Sequence, residues 1–152
     1  MNTEESDLKT KLVAQCKKAG AYARRFEDRY GVGILDTLVI FDSLPVCFIE
    51  AKIIHSREFG PTERQWIEGN RILKLKGGHA FPVLVGWNED KLMYVGEWAR
   101  KMPVKACICQ LKGDDYAKTL WRFVHDYNKH RGGGNVGRGQ EDSLSGENPS
   151  AR

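Results

Sequence analysis

Ile34-Leu-Asp-Thr-Leu-Val-Ile-Phe41 and Val46-Cys-Phe-Ile-Glu-Ala-Lys-Ile-Ile54, joined by Asp42-Ser-Leu-Pro45, decide the reading of this chain. Both runs are rich in branched and aromatic residues, which favours strands. The connection has hairpin length. Two neighbouring strands are therefore predicted over 34–41 and 46–53. Charge interrupts each one. Asp36 sits near the start of the first run, and Glu50 and Lys52 break the second. Side chains alternate across a strand, so Glu50 and Lys52 face the same side, and the hairpin brings Asp36 towards Glu50. An unpaired charge in a core costs on the order of several kcal/mol, because the interior cannot replace lost water. Folding alone would select valine or isoleucine at these positions.

The chemistry offers a reason for the charges. Two carboxylates held close repel each other, and a divalent cation relieves that repulsion. Oxygen-rich, partly hydrated sites suit magnesium or manganese. Such a cation polarises a phosphoryl oxygen and acidifies a water, and a neighbouring lysine stabilises developing negative charge or orients the nucleophile. The competing reading is a Lys52–Glu50 or Lys52–Asp36 ion pair on a solvated strand face.

Outward from these strands, residues from Thr3 to about Lys18 read as an amphipathic helix. Leu8, Leu12, Cys16 and Ala19 recur at helical spacing and Gly20 is placed to stop it. At about 100° per residue, Glu5 lies on this apolar stripe, where it could serve as a metal ligand or water-positioning acid. A first-turn acid favoured by the helix dipole is the alternative. Residues 21–30 are basic and could hold a short strand before Gly31-Val-Gly33. Gly60-Pro61 opens a second helix, with proline at its first position, running to about Lys76 and ended by Gly77-Gly78. On it Gln65 faces inward, able to bond a phosphate, a water or a catalytic group, or else satisfied within the core. Further strands are predicted over 81–87, 92–95 and 104–111, and a last helix over 115–130. From Gly132 the Gly-rich polar sequence reads as a disordered tail, leaving one domain over 1–131. The order is that of a mixed α/β domain.

Composition permits this reading. The chain has 152 residues, enough to bury a core, and a net charge of +4. Residues 1–131 carry 22 basic against 17 acidic side chains, an excess compatible with a nucleic-acid partner. No stretch approaches the roughly 20 apolar residues that span a bilayer. The acidic, polar N-terminus argues against a signal peptide, so an intracellular location is expected. Cys16, Cys47, Cys107 and Cys109 contain no C-x-x-C pair and are expected as buried reduced thiols. Arg24, Arg25, Arg29, Arg57, Arg64, Arg71, Lys74 and Lys76 flank the charged strands and are candidates for phosphate contacts. His55 is a candidate acid–base group. Trp66, Trp87, Trp98 and Trp121 read as core or partner surface.

Together these residues resemble the VRR-NUC family, a branch of the PD-(D/E)XK nuclease superfamily found in phage proteins and DNA-repair enzymes. Glu5-Ser-Asp-Leu8, Leu12 and the Lys18-Ala-Gly20 turn are similar to the family's opening helix. Gly33-Ile-Leu-Asp36 resembles its G-x-P-D motif, with leucine at 35 in place of proline. Phe48-Ile-Glu-Ala-Lys52 resembles its F-V-E-L-K strand. Pro61-Thr-Glu-Arg-Gln65 and Lys76-Gly-Gly78 resemble its S-P-E-Q helix and glycine turn. The likeness runs from about Glu5 to Gly86; residues 87–131 carry no family motif.

The resemblance implies an αβββαβ core with a mixed central sheet flanked by helices, here with an extra C-terminal helix. It implies Asp36 and Glu50 as metal ligands, the Ala51 carbonyl completing the metal shell, Lys52 as the catalytic lysine, and Glu5 and Gln65 in supporting positions. The expected cofactor is Mg²⁺, with Mn²⁺ able to substitute. The expected activity is a DNA endonuclease acting on branched or Holliday-junction DNA as a homodimer, in a bacterial host's cytoplasm if phage-encoded. The substrate rests on analogy alone. Rival readings are a catalytically silent nucleic-acid-binding module with the same fold, and a restriction-type enzyme cutting one short sequence.

Overall fold

The computed structural model describes residues 3–26, 35–75 and 77–130. Helix α1 spans Thr3–Lys18, as its periodicity predicts. Glu4 and Glu5 lie in its first turn and Lys17 and Lys18 in its last, matching the helix dipole at both ends. Gly20, at φ 94°, closes it. Gly20 N–H donates to the Lys17 carbonyl and Ala21 N–H to the Cys16 carbonyl, the paired bonds of a Schellman cap.

Strands β1 (Tyr22–Arg25), β2 (Thr37–Ile40) and β3 (Val46–Ile53) follow. All three pair in sequence, antiparallel. The two-residue β4 (Glu58–Phe59) and helix α2 (Glu63–Leu73) then cross to β5 (Ala80–Trp87), which lies parallel to β3. Strand β6 (Met93–Glu97) returns antiparallel. After β7 (Met102–Pro103) and one 3-10 turn (Val104–Ala106) comes β8 (Ile108–Cys109), then helix α3 (Tyr116–His130). The sheet order is β1-β2-β3-β5-β6-β8, with β4 and β7 forming a separate two-stranded ladder. This is a mixed α/β fold with a mixed central sheet. Apart from the small β4, its first elements follow the expected order αβββαβ, and α3 is the extra C-terminal helix.

Helices α1 and α3 cover one face of the sheet. Leu8, Leu12 and Cys16 from α1 and Leu120, Phe123 and Val124 from α3 join Val39, Cys47, Ile49, Val83, Val85 and Val95 in one buried cluster. A smaller cluster of Phe59, Leu84 and Met102 occupies the other face. There Gly69 of α2 lets the Trp98 ring approach so closely that a Cβ would lie 2.1 Å from it.

Several boundaries depart from expectation. The first strand of the hairpin begins at Thr37; Ile34 lies outside the described residues. Pro61 is not the first helical residue of α2. Thr62 is the N-cap, and its hydroxyl and the Gln65 side chain form a reciprocal capping box that fixes the start at Glu63. The helix ends at Leu73, short of Lys76, which lies outside the described residues. The strand predicted over 104–111 shrinks to two residues. Cys107 N–H donates to the Val104 carbonyl and coils the segment, and beyond β8 Gln110 N–H still donates to the Met93 carbonyl while Met93 N–H donates to the Gln110 side-chain oxygen. The β4–β7 ladder was not anticipated, since two-residue strands leave no periodic signal.

All four cysteines are free thiols. Cys16 and Cys47 are buried as expected, whereas Cys107 and Cys109 are only half-buried. Burial pushes the Cys16 thiol up to about 12, with the Asp115 charge adding. No helix among the described residues is long and apolar enough to cross a membrane. The tail expected over 132–152 lies outside the described residues.

Candidate active site

The β2–β3 ladder runs through the pairs Val39↔Cys47, Leu38↔Phe48 and Thr37↔Ile49 and stops there. Continued by one residue, that register sets Asp36 across from Glu50. Asp36 is held by its backbone on the other side, where its carbonyl accepts from Phe26 N–H. Its side chain is therefore positioned by β1 and β2 but lies just past the end of the ladder.

Glu50 stands beside Leu84 on the face of the smaller cluster, while its neighbour Ala51, beside Val85, joins the larger core. The peptide directions follow from the parallel pair. Val46 N–H donates to the His79 carbonyl and Ile54 N–H to the Trp87 carbonyl. Even-numbered peptides of β3 thus face β5 and odd-numbered ones face β2. The Ala51 carbonyl points to the β2 side, one pleat beyond the last paired residue, beside the gap that Asp36 and Glu50 border.

Glu50 is 2 % exposed, and its Oε1 has no hydrogen-bond partner among the described residues. The other oxygen, Oε2, lies 3.3 Å from Lys52 Nζ. Burial pushes the Glu50 carboxyl up to about 7, and the Asp36 charge adds to the rise. Lys52 and Lys9 pull it down without cancelling it. Asp36 is thus within electrostatic range of Glu50, as the hairpin predicted. The Lys52–Glu50 ion pair weighed from sequence is present, but its acid is buried rather than solvated. Lys52 itself is a quarter exposed, which leaves its ammonium reachable.

Sequence reasoning missed Lys9. Its side chain is fully buried, and its Nζ bonds both Asp36 Oδ2 and, at 3.0 Å, Glu5 Oε2. Burial opposes the Lys9 charge, yet the bonds to Asp36 and Glu5 outweigh it and hold the pKa above the ordinary lysine value. Asp36 Oδ1 accepts a further bond from the Thr37 hydroxyl at 3.1 Å. Glu5 consequently reaches the cluster through Lys9. A signal for Lys9 existed: it follows Glu5 by four residues and falls about 40° from it, on the apolar stripe. A lysine on that stripe demands an acid.

The structure thus joins Glu5 and Asp36 through Lys9 and pairs Glu50 with Lys52, with Asp36 and Lys9 in electrostatic range of Glu50. Gln65 stands elsewhere in role: its Oε1 accepts from Thr62 N–H at 2.8 Å, and its own N–H donates to the Thr62 hydroxyl. Arg25, one of the candidates for a phosphate contact, instead reaches α1 and donates to the Ser6 carbonyl, Ser6 Oγ and Thr10 Oγ1. Arg24 is exposed and lies over the Phe26 ring. Arg57, Arg64 and His55 are exposed. Arg71 pairs with Glu68, and Lys74 caps α2. Arg29 and Lys76 lie outside the described residues. Trp87 is fully buried, Trp66 and Trp98 stack on each other, and Trp121 is exposed against His125.

The donors present fit a hard divalent cation in kind: two carboxylates, one with a buried oxygen unpartnered among the described residues, and a backbone carbonyl beside them. Among the described residues, no group of three His, Cys, Asp or Glu side chains is disposed to hold a metal ion. A cation here would complete its shell with the carbonyl and water.

No protein-family model matches the chain, and no curated protein matches it. Among solved structures, the chain is similar to Hjc, a Holliday junction resolvase from the archaeal hyperthermophile Archaeoglobus fulgidus. The two are 14% identical with a TM-score of 0.47, over 68% of this chain and 75% of that one.

Proposed function

We propose that this chain is a metal-dependent nuclease that hydrolyses phosphodiester bonds in DNA. Asp36, Glu50 and the Ala51 carbonyl hold Mg²⁺, for which Mn²⁺ can substitute, and Lys52 is the catalytic lysine. The observation that carries this reading is Glu50 itself. A carboxyl buried on a central strand, with one oxygen unpartnered among the described residues, works against folding and suits a bound cation.

The cation, when bound, polarises a phosphoryl oxygen and acidifies a water. The residues do the rest. Glu50, poised near neutrality by burial and by Asp36, ionises readily when positive charge arrives. Lys52 is tied to Glu50 at 3.3 Å yet open to solvent, so its ammonium can meet charge developing on a phosphate. Gln65 fixes the start of α2 and acts on the site only by positioning. Among the arginines, Arg24, Arg57 and Arg64 are the exposed candidates for backbone phosphates. Branched or junction DNA as substrate, and a homodimer to match its symmetry, rest on the VRR-NUC resemblance.

The second reading, a silent nucleic-acid-binding module, is favoured by the bonding of Lys9 to two of the acids. One experiment separates them. Wild type, Asp36→Asn and Lys52→Ala are incubated with linear, nicked, flapped and four-way DNA and with RNA, in Mg²⁺, Mn²⁺ or EDTA. Wild type should cut DNA only with the cation. Asp36→Asn should be inactive, and Lys52→Ala slower by about a hundredfold or more. Binding that survives EDTA, with no cutting in either cation, establishes the silent module instead.

A further inference from the structure

Lys9 is a buried cation placed among acids that, on the reading above, serve a divalent ion. Its Nζ bridges Glu5 and Asp36, and its charge reaches Glu50. With Lys52 3.3 Å from Glu50, three carboxylates among the described residues face two ammonium groups. Fully ionised, these five groups are together one unit negative, less than a divalent ion neutralises. Burial between α1 and the sheet gives the Lys9 side chain little room to withdraw. Its ammonium therefore stays in the field that would draw a cation to Asp36.

We infer that Lys9 is a built-in counter-charge at the Glu5–Asp36 end of the cluster, which limits the site to one weakly held divalent ion. This rests on Asp36 and Glu50 being divalent-ion ligands. Lys9 is a positioning residue: it touches the acids and sets how many ions they accept and how tightly. Without it, the same pair of carboxylates becomes a second place for a cation. Repulsion between a buried single charge and a nearby divalent ion in a medium of intermediate dielectric readily accounts for a tenfold change in affinity.

The test is Mn²⁺ binding, by electron paramagnetic resonance and calorimetry, to wild type, Asp36→Asn, Lys9→Gln and Lys9→Met at pH 8. Wild type should bind one ion and Asp36→Asn none. The Lys9 variants should bind about tenfold more tightly, or bind a second ion. They should also be less stable than wild type in EDTA and recover on adding Mg²⁺. If both variants are unfolded in EDTA, refolding by Mg²⁺ or Mn²⁺, followed by circular dichroism, supports the inference; remaining unfolded in excess cation overturns it. Affinity and ion number equal to wild type in folded variants overturn it while leaving the metal site standing. If wild type binds no Mn²⁺, the metal site itself is lost, and this inference with it.

Discussion

The two faces of the central sheet do different work. Under α1 and α3 lies one continuous apolar cluster with aliphatic side chains from both helices and the sheet. On the face shared with Glu50 and Lys52, the buried apolar cluster among the described residues is the small one of Phe59, Leu84 and Met102. Adjacent residues on β3 show the contrast: Ala51 enters the large core while Glu50 buries a carboxyl on the other side. Burial of grease holds the molecule together on one face, which lets the other keep a group that destabilises it.

Truncation should expose this asymmetry most strongly. Leu120→Ala, in the large cluster, is expected to lower stability by about 2–5 kcal/mol in urea unfolding. Leu84→Ala should fall near the lower end of that range, because its small cluster is bordered by partly buried residues that can relax into the space. Equal losses at the two positions would break the comparison.

Glu50→Gln should do the opposite and stabilise the metal-free protein. The Glu50 carboxyl titrates near 7 when folded against 4.5 ordinarily. The stability tied to its protonated form is therefore complete below about 4.5 and is lost as pH rises through 7. The amide suffers no such loss. At pH 8 in EDTA the gain should be roughly 1–3 kcal/mol, vanishing near pH 4. Thermal unfolding at both pH values decides it, and a variant no more stable at pH 8 would show that the burial carries no penalty.

Gly69→Ala probes the thinner face without touching charge. The added methyl meets the Trp98 ring, and the overpacking should cost about 1–3 kcal/mol. Altered near-ultraviolet dichroism from the Trp66–Trp98 stack should accompany it. Smallest is Arg25→Ala. Loss of its bonds to Ser6 and Thr10 should cost about 1 kcal/mol and speed hydrogen exchange of the first turns of α1. Unchanged exchange there would mean the arginine does not hold the helix.

Much of this was readable before any coordinates. Strand β3 and helix α1 match their predicted limits because their periodicity is uninterrupted and their ends are marked by glycine and turn residues. The placing of Asp36 near Glu50 followed from hairpin length alone. What escaped turned on partners that a periodic reading does not weigh. Lys9 carried the signal of a lysine on the apolar stripe, but its partner Asp36 lies 27 residues away. The true start of α2 turned on a hydroxyl–amide exchange between Thr62 and Gln65, which outweighed the usual preference for proline at the first position. The β8 region is shorter than predicted because the chain coils at Val104–Cys107 and because the Gln110 side chain takes one of the two bonds that residue exchanges with Met93.

The position of α3 at the end of the described fold has a consequence during synthesis. Every strand of the sheet emerges after α1 but before α3, so the nascent chain leaves part of the apolar face that α1 does not cover open until Leu120, Phe123 and Val124 arrive. A chain stopped before Tyr116 should collect in the insoluble fraction or on chaperones, whereas one extended through His130 should not. The last helix is in this sense a lid fitted at the finish, and slow translation ahead of it would lengthen the hazard.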